Sequence, residues 1–239
     1  MMTGHARPRP AIWVAGFIAL LLFAGFCALG VWQVERRVWK LDLIRQVAAR
    51  SQAAPVAPPG PAYWPAITAS SDAYRRIRVS GVFAHDRTTL VRAATALGSG
   101  YWVMTPLRTA QGFDVLVNRG YVSPEQRGAY ARPIGTVTVT GYLRITEPGG
   151  GFLRKNDPAT DNWYSRDVAA IASAHGLGRT APYFIDADKV GDGAPVGGQT
   201  VIAFPNNHLV YMLTWFGLAA MTVIGFVVFV RHDRRRDKR

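Results

Sequence analysis

Residues 206–230 read NNHLVYMLTWFGLAAMTVIGFVVFV. Three polar residues, Asn206, Asn207 and His208, lead into a run from Leu209 to Val230 that carries no charged side chain. A second such run, Ala11 to Val31, stands near the start of the chain. At about 1.5 Å of rise per helical residue, about 20 residues cross a hydrocarbon core of about 30 Å. Both runs predict transmembrane helices, since a core helix of this length normally shows a polar face. The first run is too long for a cleaved signal, and its exit, Gly25-Phe26-Cys27-Ala28-Leu29-Gly30, offers no small-x-small cleavage site. It reads as an uncleaved anchor.

The Lys/Arg distribution sets the expected orientation. Arg231, Arg234, Arg235, Arg236, Lys238 and Arg239 follow the second run, a strong cytoplasmic signal. Arg7 and Arg9 precede the first run, whereas Arg36, Arg37, Lys40 and Arg45 follow it, a bias pointing the other way. Two helices put both termini on one side, so the tail decides. The expected layout is a cytoplasmic N-terminus (1–10), a transmembrane helix (11–31), an extracytoplasmic segment (32–208), a second transmembrane helix (209–230) and a basic cytoplasmic tail (231–239).

The net charge is +13, with 28 Lys and Arg in the whole chain. Between the two runs stand 20 of those basic residues against 13 acidic ones, a balance of +7. No basic block or aromatic-interleaved stripe organises them, so nucleic acid is a poor partner. Anionic lipid or a ligand with carboxylates suits such a surface. The lone cysteine, Cys27, lies inside the first run. That excludes an intrachain disulfide, a dithiol copper site and haem attachment through Cys-x-x-Cys-His. Five dispersed methionines make a Met-rich Cu(I) site a poor reading.

Beyond the first run, helical spacing continues: Leu41, Ile44 and Val47 share a face, which extends the helix to about Arg50. The proline-rich stretch 51–65, SQAAPVAPPGPAYWP, reads as an extended linker. From Tyr74 the period changes to two, and the runs TTLVRA, YWVMTPLRT, FDVLVNRGYV, GTVTVTGYLRI and YFIDA read as strands. Val79-Ser80-Gly81-Val82-Phe83 is echoed by Val139-Thr140-Gly141-Tyr142-Leu143. A glycine interrupting an alternating strand suits a bulge or bend in a curling sheet. One short helix is expected at about 165–175, capped by Ser165 and ended by Gly176. The fold class is thus a membrane protein with two transmembrane α-helices flanking one extracytoplasmic α+β domain, sheet-dominated and open to barrel closure.

No Gly-x-Ser-x-Gly elbow, His-Glu-x-x-His motif or phosphate-binding loop occurs. Phe83-Ala84-His85-Asp86-Arg87 reads as a polar turn rather than a catalytic dyad. Asp186-Ala187-Asp188 opens like a calcium loop but fails at Val190 and at Gly197. His175 before Gly176 reads as a cation at a helix C-terminus. The carboxylates form no evident acid/base pair, and the chain is not expected to be an enzyme. Asn118-Arg119-Gly120-Tyr121 admits two readings: a turn with Gly120 at positive φ, or an exposed patch in which Arg119 and Tyr121 meet a partner.

His208 also admits two readings. Asn206 or Asn207 caps the second helix and leaves His208 in its first turn. There the helix dipole disfavours added positive charge, and neutral imidazole is the form that binds iron. Alternatively His208 is an interfacial anchor within a belt made by Tyr211 and Trp215.

Leu29-Gly30-Val31-Trp32-Gln33 with Arg36 and Trp39-Lys40, Arg78-Val79-Ser80-Gly81-Val82-Phe83, Gly100-Tyr101-Trp102-Val103-Met104-Thr105-Pro106-Leu107, Val117-Asn118-Arg119-Gly120-Tyr121-Val122, and Asn206-Asn207-His208-Leu209-Val210-Tyr211 with Thr214-Trp215-Phe216 follow one another along the chain. This ordered set resembles the Surf1/Shy1 family of cytochrome c oxidase assembly factors, over nearly the whole chain. It departs at Tyr121, where many members carry Trp, and at the glycines 149–151. The resemblance implies two membrane helices around an extracytoplasmic domain, a bacterial inner-membrane location, and a chaperone role in maturing oxidase subunit I of the respiratory chain. It implies haem a as transient cargo and the haem a synthesis machinery as a partner. The family's haem-associated histidine falls on His208. Tyr211 and Trp215 are then expected to flank the macrocycle, with Arg36, Arg37 or Arg119 meeting its propionates. The competing reading is a scaffold that stabilises an immature oxidase subunit without touching haem.

The arginine-rich tail yields a direct test of orientation. A reporter active only outside the cytoplasm should work when fused near Gly150 and be silent after Arg239. The reverse pattern would overturn the assigned sidedness.

Overall fold

A computed structural model describes residues 10–151 and 154–236. Arg7 and Arg9, and the tail residues Lys238 and Arg239, lie outside the described residues. The chain divides into two units. One is formed by the two ends of the chain, Met1–Arg45 and Ala203–Arg239, and the other by Gln46–Ile202.

The elements run α1 (Pro10–Gln52), a 3-10 turn (Pro61–Ala66), α2 (Ala69–Asp72), β1 (Arg76–Phe83), β2 (Thr89–Thr95), β3 (Gly98–Thr109), β4 (Asp114–Val122), β5 (Thr136–Ile145), α3 (Val168–Ala174), β6 (Thr180–Ala187) and α4 (His208–Arg236). All the runs with a period of two form strands. In the sheet order β1-β5-β6-β4-β3-β2, β1 also pairs with β3. The ring β1-β5-β6-β4-β3 therefore closes into a barrel, and β2 extends β3 as a hairpin. All pairings are antiparallel except β4 with β6.

The echoed glycines sit where that ring is tightest. Gly81 pairs with Val137 of β5 and with Thr109 of β3, so β1 passes from one neighbour to the other at this residue. A Cβ at Gly81 would stand 2.3 Å from the Arg108 carbonyl oxygen, and one at Gly141 only 2.1 Å from that of Asp186. Close backbone approach, rather than a bulge, is what these positions need.

Strands β4 and β6 are buried on both faces. Phe113, Val115 and Val117, with Tyr183 and Ile185, point into one core together with Ile77, Val79, Leu107 and Leu143. Leu116 and Phe184 point the other way, into a second core with Val91, Met104, Trp163 and the α3 residues Val168 and Ile171. Period-two alternation across a doubly covered strand accounts for the continuous apolar run in β4. Helix α3 is capped two residues later than expected. Asp167, not Ser165, accepts from the Ala170 amide, because the Ser165 hydroxyl is engaged by Gly150 N and Asn156 Nδ2.

Residues 51–65 do more than connect. Val56 N donates to the Arg76 carbonyl, and Arg78 N donates to that of Val56. Trp64 packs edge-on against Phe113 at 5.6 Å, and the Tyr183 hydroxyl donates to the Pro59 carbonyl at 2.8 Å. Burial raises the Tyr183 pKa, which keeps that hydroxyl a donor.

Asp186 is the polar centre of the barrel wall. At 4% exposure it accepts from Asn118 Nδ2 (2.8 Å), Arg144 Nη1 (2.7 Å), Arg166 Nη1 (3.2 Å) and Thr200 Oγ1 (2.9 Å). Four donors match the lone-pair sites of a carboxylate. Burial opposes the charge on Arg166, but its bonds to Glu147 and the field of Asp186 outweigh that, and its pKa is raised. The failed calcium loop is thus an arginine anchor. Asp186→Ala leaves two guanidiniums without this counter-charge and should destabilise the protein by about 3–5 kcal/mol. Asp188, a far more accessible carboxylate than Asp186, holds Arg76 through two bonds of 2.7 Å, and Asp188→Ala should cost about 1 kcal/mol or less. Denaturant unfolding of the full chain in detergent checks the contrast.

Candidate functional site

The unit made from the chain ends is an antiparallel pair of helices. Large apolar side chains along both, among them Trp13, Phe17, Leu20, Leu213, Ile224 and Val228, are exposed. A helix serving as a soluble core would bury them; in lipid, this surface faces its solvent. The helices are long and apolar enough to span a membrane, and the protein is a multi-pass membrane protein.

Glycines of α1 seat aromatic rings of α4. Gly30 lies under Phe216, where a Cβ would come within 2.7 Å of the ring, and Gly16 lies under Phe226 at 3.3 Å. Such positions let membrane helices pack by dispersion. Phe26 stacks on Trp215, with centroids 5.9 Å apart and planes 24° off parallel. At the end of this seam, His208 Nδ1 lies 2.8 Å from Gln33 Oε1, and Gln33 is only 8% exposed.

His208 is the first residue of α4. The Asn207 carbonyl accepts from Val210 N and Tyr211 N. Asn207 thus takes the cap position, one of the two expected, through its carbonyl; among the described residues its side chain forms no hydrogen bond to the helix, and Asn206 Oδ1 has no partner. Gln33 Oε1 can only accept, so His208 Nδ1 donates. In the neutral ring the proton then sits on Nδ1 and the lone pair on Nε2, which makes no hydrogen bond among the described residues. A ligating histidine is commonly oriented in this way, with its other nitrogen donating to a fixed acceptor. An interhelical bond of this kind contributes only about 1 kcal/mol. Packing therefore holds the helices together, and the main effect of the bond is to fix the ring.

The other expected residues are placed unevenly. Tyr211 is 54% exposed and unencumbered, but Trp215 is committed to Phe26. Arg36 and Arg37 follow Gln33 by one helical turn. Arg36 stacks over Trp39 at 4.1 Å, and Lys40 lies over Phe204 at 5.3 Å. Arg119 and Tyr121 belong to the barrel unit. Trp102 pairs with Tyr121 and Met104 with Asn118, so Arg119 and Gly120 both face Val103. Gly120 has φ +129° as expected, but in a bulge inside β4 and not in a turn. A Cβ there would lie 2.3 Å from the Val196 carbonyl. Tyr121 is only 5% exposed, and its hydroxyl donates to Ser99 O at 3.0 Å, so it presents nothing to a partner; Arg119 alone reaches the surface.

Gln33 and Gly30 were not singled out from the sequence as site residues. Their signal was a neutral polar side chain one turn beyond a glycine at the exit of an apolar run, next to a histidine at the entry of another.

The profile of the SURF1 family matches residues 20–220. The chain belongs to the SURF1 family. Mouse Surfeit locus protein 1 is 34% identical to it, across 96% of this chain and 80% of the mouse protein. The human protein of that name is 34% identical, across 92% and 77%, and a Drosophila melanogaster SURF1-like protein 33%, across 91% and 78%. This is the family of oxidase assembly factors that the ordered motifs resemble, and its members are chaperones rather than enzymes. Two of the SURF1-like motifs, at opposite ends of the chain, meet in the helix pair: Gly30 and Gln33 from one, His208 and Phe216 from the other.

The Gln33 contact makes a prediction for the ring itself. In 15N spectra at alkaline pH, His208 should show the Nδ1–H tautomer in the wild type and in Gln33→Glu. Gln33→Leu should shift it towards Nε2–H; an unchanged tautomer would mean that Gln33 does not orient the ring.

Proposed function

We propose that this protein is a cytochrome c oxidase assembly factor that holds haem a at the outer surface of the membrane and passes it to subunit I. The observation that carries this reading is His208, set at the lipid boundary with Nδ1 tied to Gln33 and Nε2 unbonded. Among the described residues, no three His, Cys, Asp or Glu side chains cluster to hold a bare metal ion. Haem fits the single imidazole, because its ring supplies four nitrogens and one protein nitrogen completes a face.

The neighbours support the same cargo. Haem a is apolar apart from its propionates, so the bilayer edge suits it. Tyr211 offers an exposed ring three residues from His208, on the same side of α4. Arg36 and Arg37, one turn past Gln33, can pair with propionates. Trp215 gives one ring face to Phe26, which leaves the other to flank the macrocycle. The partners on this reading are the haem a synthesis machinery as donor, subunit I as acceptor, and the surrounding lipids. The compartment is a bacterial inner membrane, with both termini cytoplasmic and the barrel outside. The basic end of α4, Arg231 and Arg234–Arg236, argues for that orientation.

His208→Ala tests the reading. In cells that make haem a, the wild type should purify with a Soret band. The variant should insert and fold normally, with haem content down at least about tenfold, as for loss of a metal contact, and with less mature oxidase. Equal haem content and an unchanged band would leave His208 an interfacial anchor; a colourless wild type would favour the haem-free scaffold.

A further inference from the structure

The barrel unit holds a cavity of about 670 Å³, walled by Val117, Val139, Val190 and Pro195, with three charged residues at its edge: Arg119, Arg132 and Asp188. That volume lies within the range of small-molecule sites, which are mostly apolar with a few placed polar groups. The three charges do not cancel one another. Asp188 is paired with Arg76, through two bonds of 2.7 Å. Among the described residues, neither Arg119 nor Arg132 forms an ion pair.

Arg119 is exceptional among the half-buried arginines of the strands. Arg76 and Arg144 each face a carboxylate. Arg119 instead lies over Phe83 at 5.0 Å and Tyr130 at 5.9 Å, and donates to the Ala131 carbonyl. Its Nη1 is buried and has no hydrogen-bond partner. Arg132 also lies over the Tyr130 ring, at 5.3 Å. Burial, reinforced by the charge of Arg132, lowers the Arg119 pKa. His85 Nε2 donates to the Pro133 carbonyl at 2.8 Å, and its Nδ1 also lacks a partner. A half-buried guanidinium costs free energy until an anion meets it. A guanidinium has five N–H donors and Ala131 uses one, so a carboxylate can accept from those that remain.

We propose that this cavity binds a carboxylate attached to an apolar body, the carboxylate pairing with Arg119 and the apolar body filling the valine-lined space. A free fatty acid and a porphyrin propionate both have this chemistry. The proposal rests on residues of the barrel unit alone and does not depend on the reading given to His208.

The test is photolabelling of the full chain in nanodiscs with a diazirine-bearing stearic acid, followed by peptide mapping. The acid should label peptides covering residues 131–139 and 187–195. Its methyl ester should label them about tenfold less or weaker still, as expected for losing a charged hydrogen bond. Arg119→Gln should lose the preference for the acid, Arg119→Lys should keep part of it, and His208→Ala should leave it unchanged. Protection by excess hemin would assign the site to porphyrin propionates, and absence of protection to fatty acids. Equal labelling by acid and ester in the wild type, or labelling confined to the membrane helices, would overturn the proposal without any variant.

Discussion

At the lipid boundary, where the two apolar helices meet, a buried amide satisfies one nitrogen of a half-buried imidazole. This Gln33–His208 contact fixes the ring, while packing along the seam holds the helices together. Along that seam Gly30 and Gly16 seat the rings of Phe216 and Phe226. Phe26 and Trp215 then stack in the same seam. Dispersion supplies most of the association, and the hydrogen bond supplies the specificity. A ring fixed in this way offers one defined nitrogen, which is what an axial ligand requires.

The barrel solves a different problem. Five strands closing on themselves bring backbones into contact at Gly81 and Gly141, where any side chain would strike a carbonyl oxygen. Two arginines then hang on one carboxylate, Asp186, which ties β6 to β4 and β5. A third, Arg119, has no such partner, and that asymmetry separates a structural arginine from one available to a ligand.

Much of this was legible in the sequence. Two uncharged runs declared the membrane helices, and period-two alternation declared the strands. The echoed glycines marked the curl of the sheet, though the reason for them, approach of a neighbouring strand, depends on pairings distant in sequence. Long-range partners explain the other differences. Ser165 looked like a cap until Gly150 and Asn156 claimed its hydroxyl. Asp186 looked like a failed metal loop because Arg144 and Arg166 lie 42 and 20 residues away. Tyr121 looked exposed beside Arg119 because a bulge sends neighbouring side chains in unexpected directions. His208 was visible from its position, but Gln33, 175 residues earlier, was not.

The claim that His208 ligates iron through Nε2 is open to one direct measurement. Protein carrying 15N-labelled histidine is loaded with ferric haem a, and nitrogen hyperfine couplings are recorded by electron–nuclear double resonance. The account predicts a strongly coupled histidine nitrogen in the wild type, absent in His208→Gly and restored, now without the 15N signature, by unlabelled free imidazole. A histidine coupling that persists unchanged in His208→Gly would contradict it.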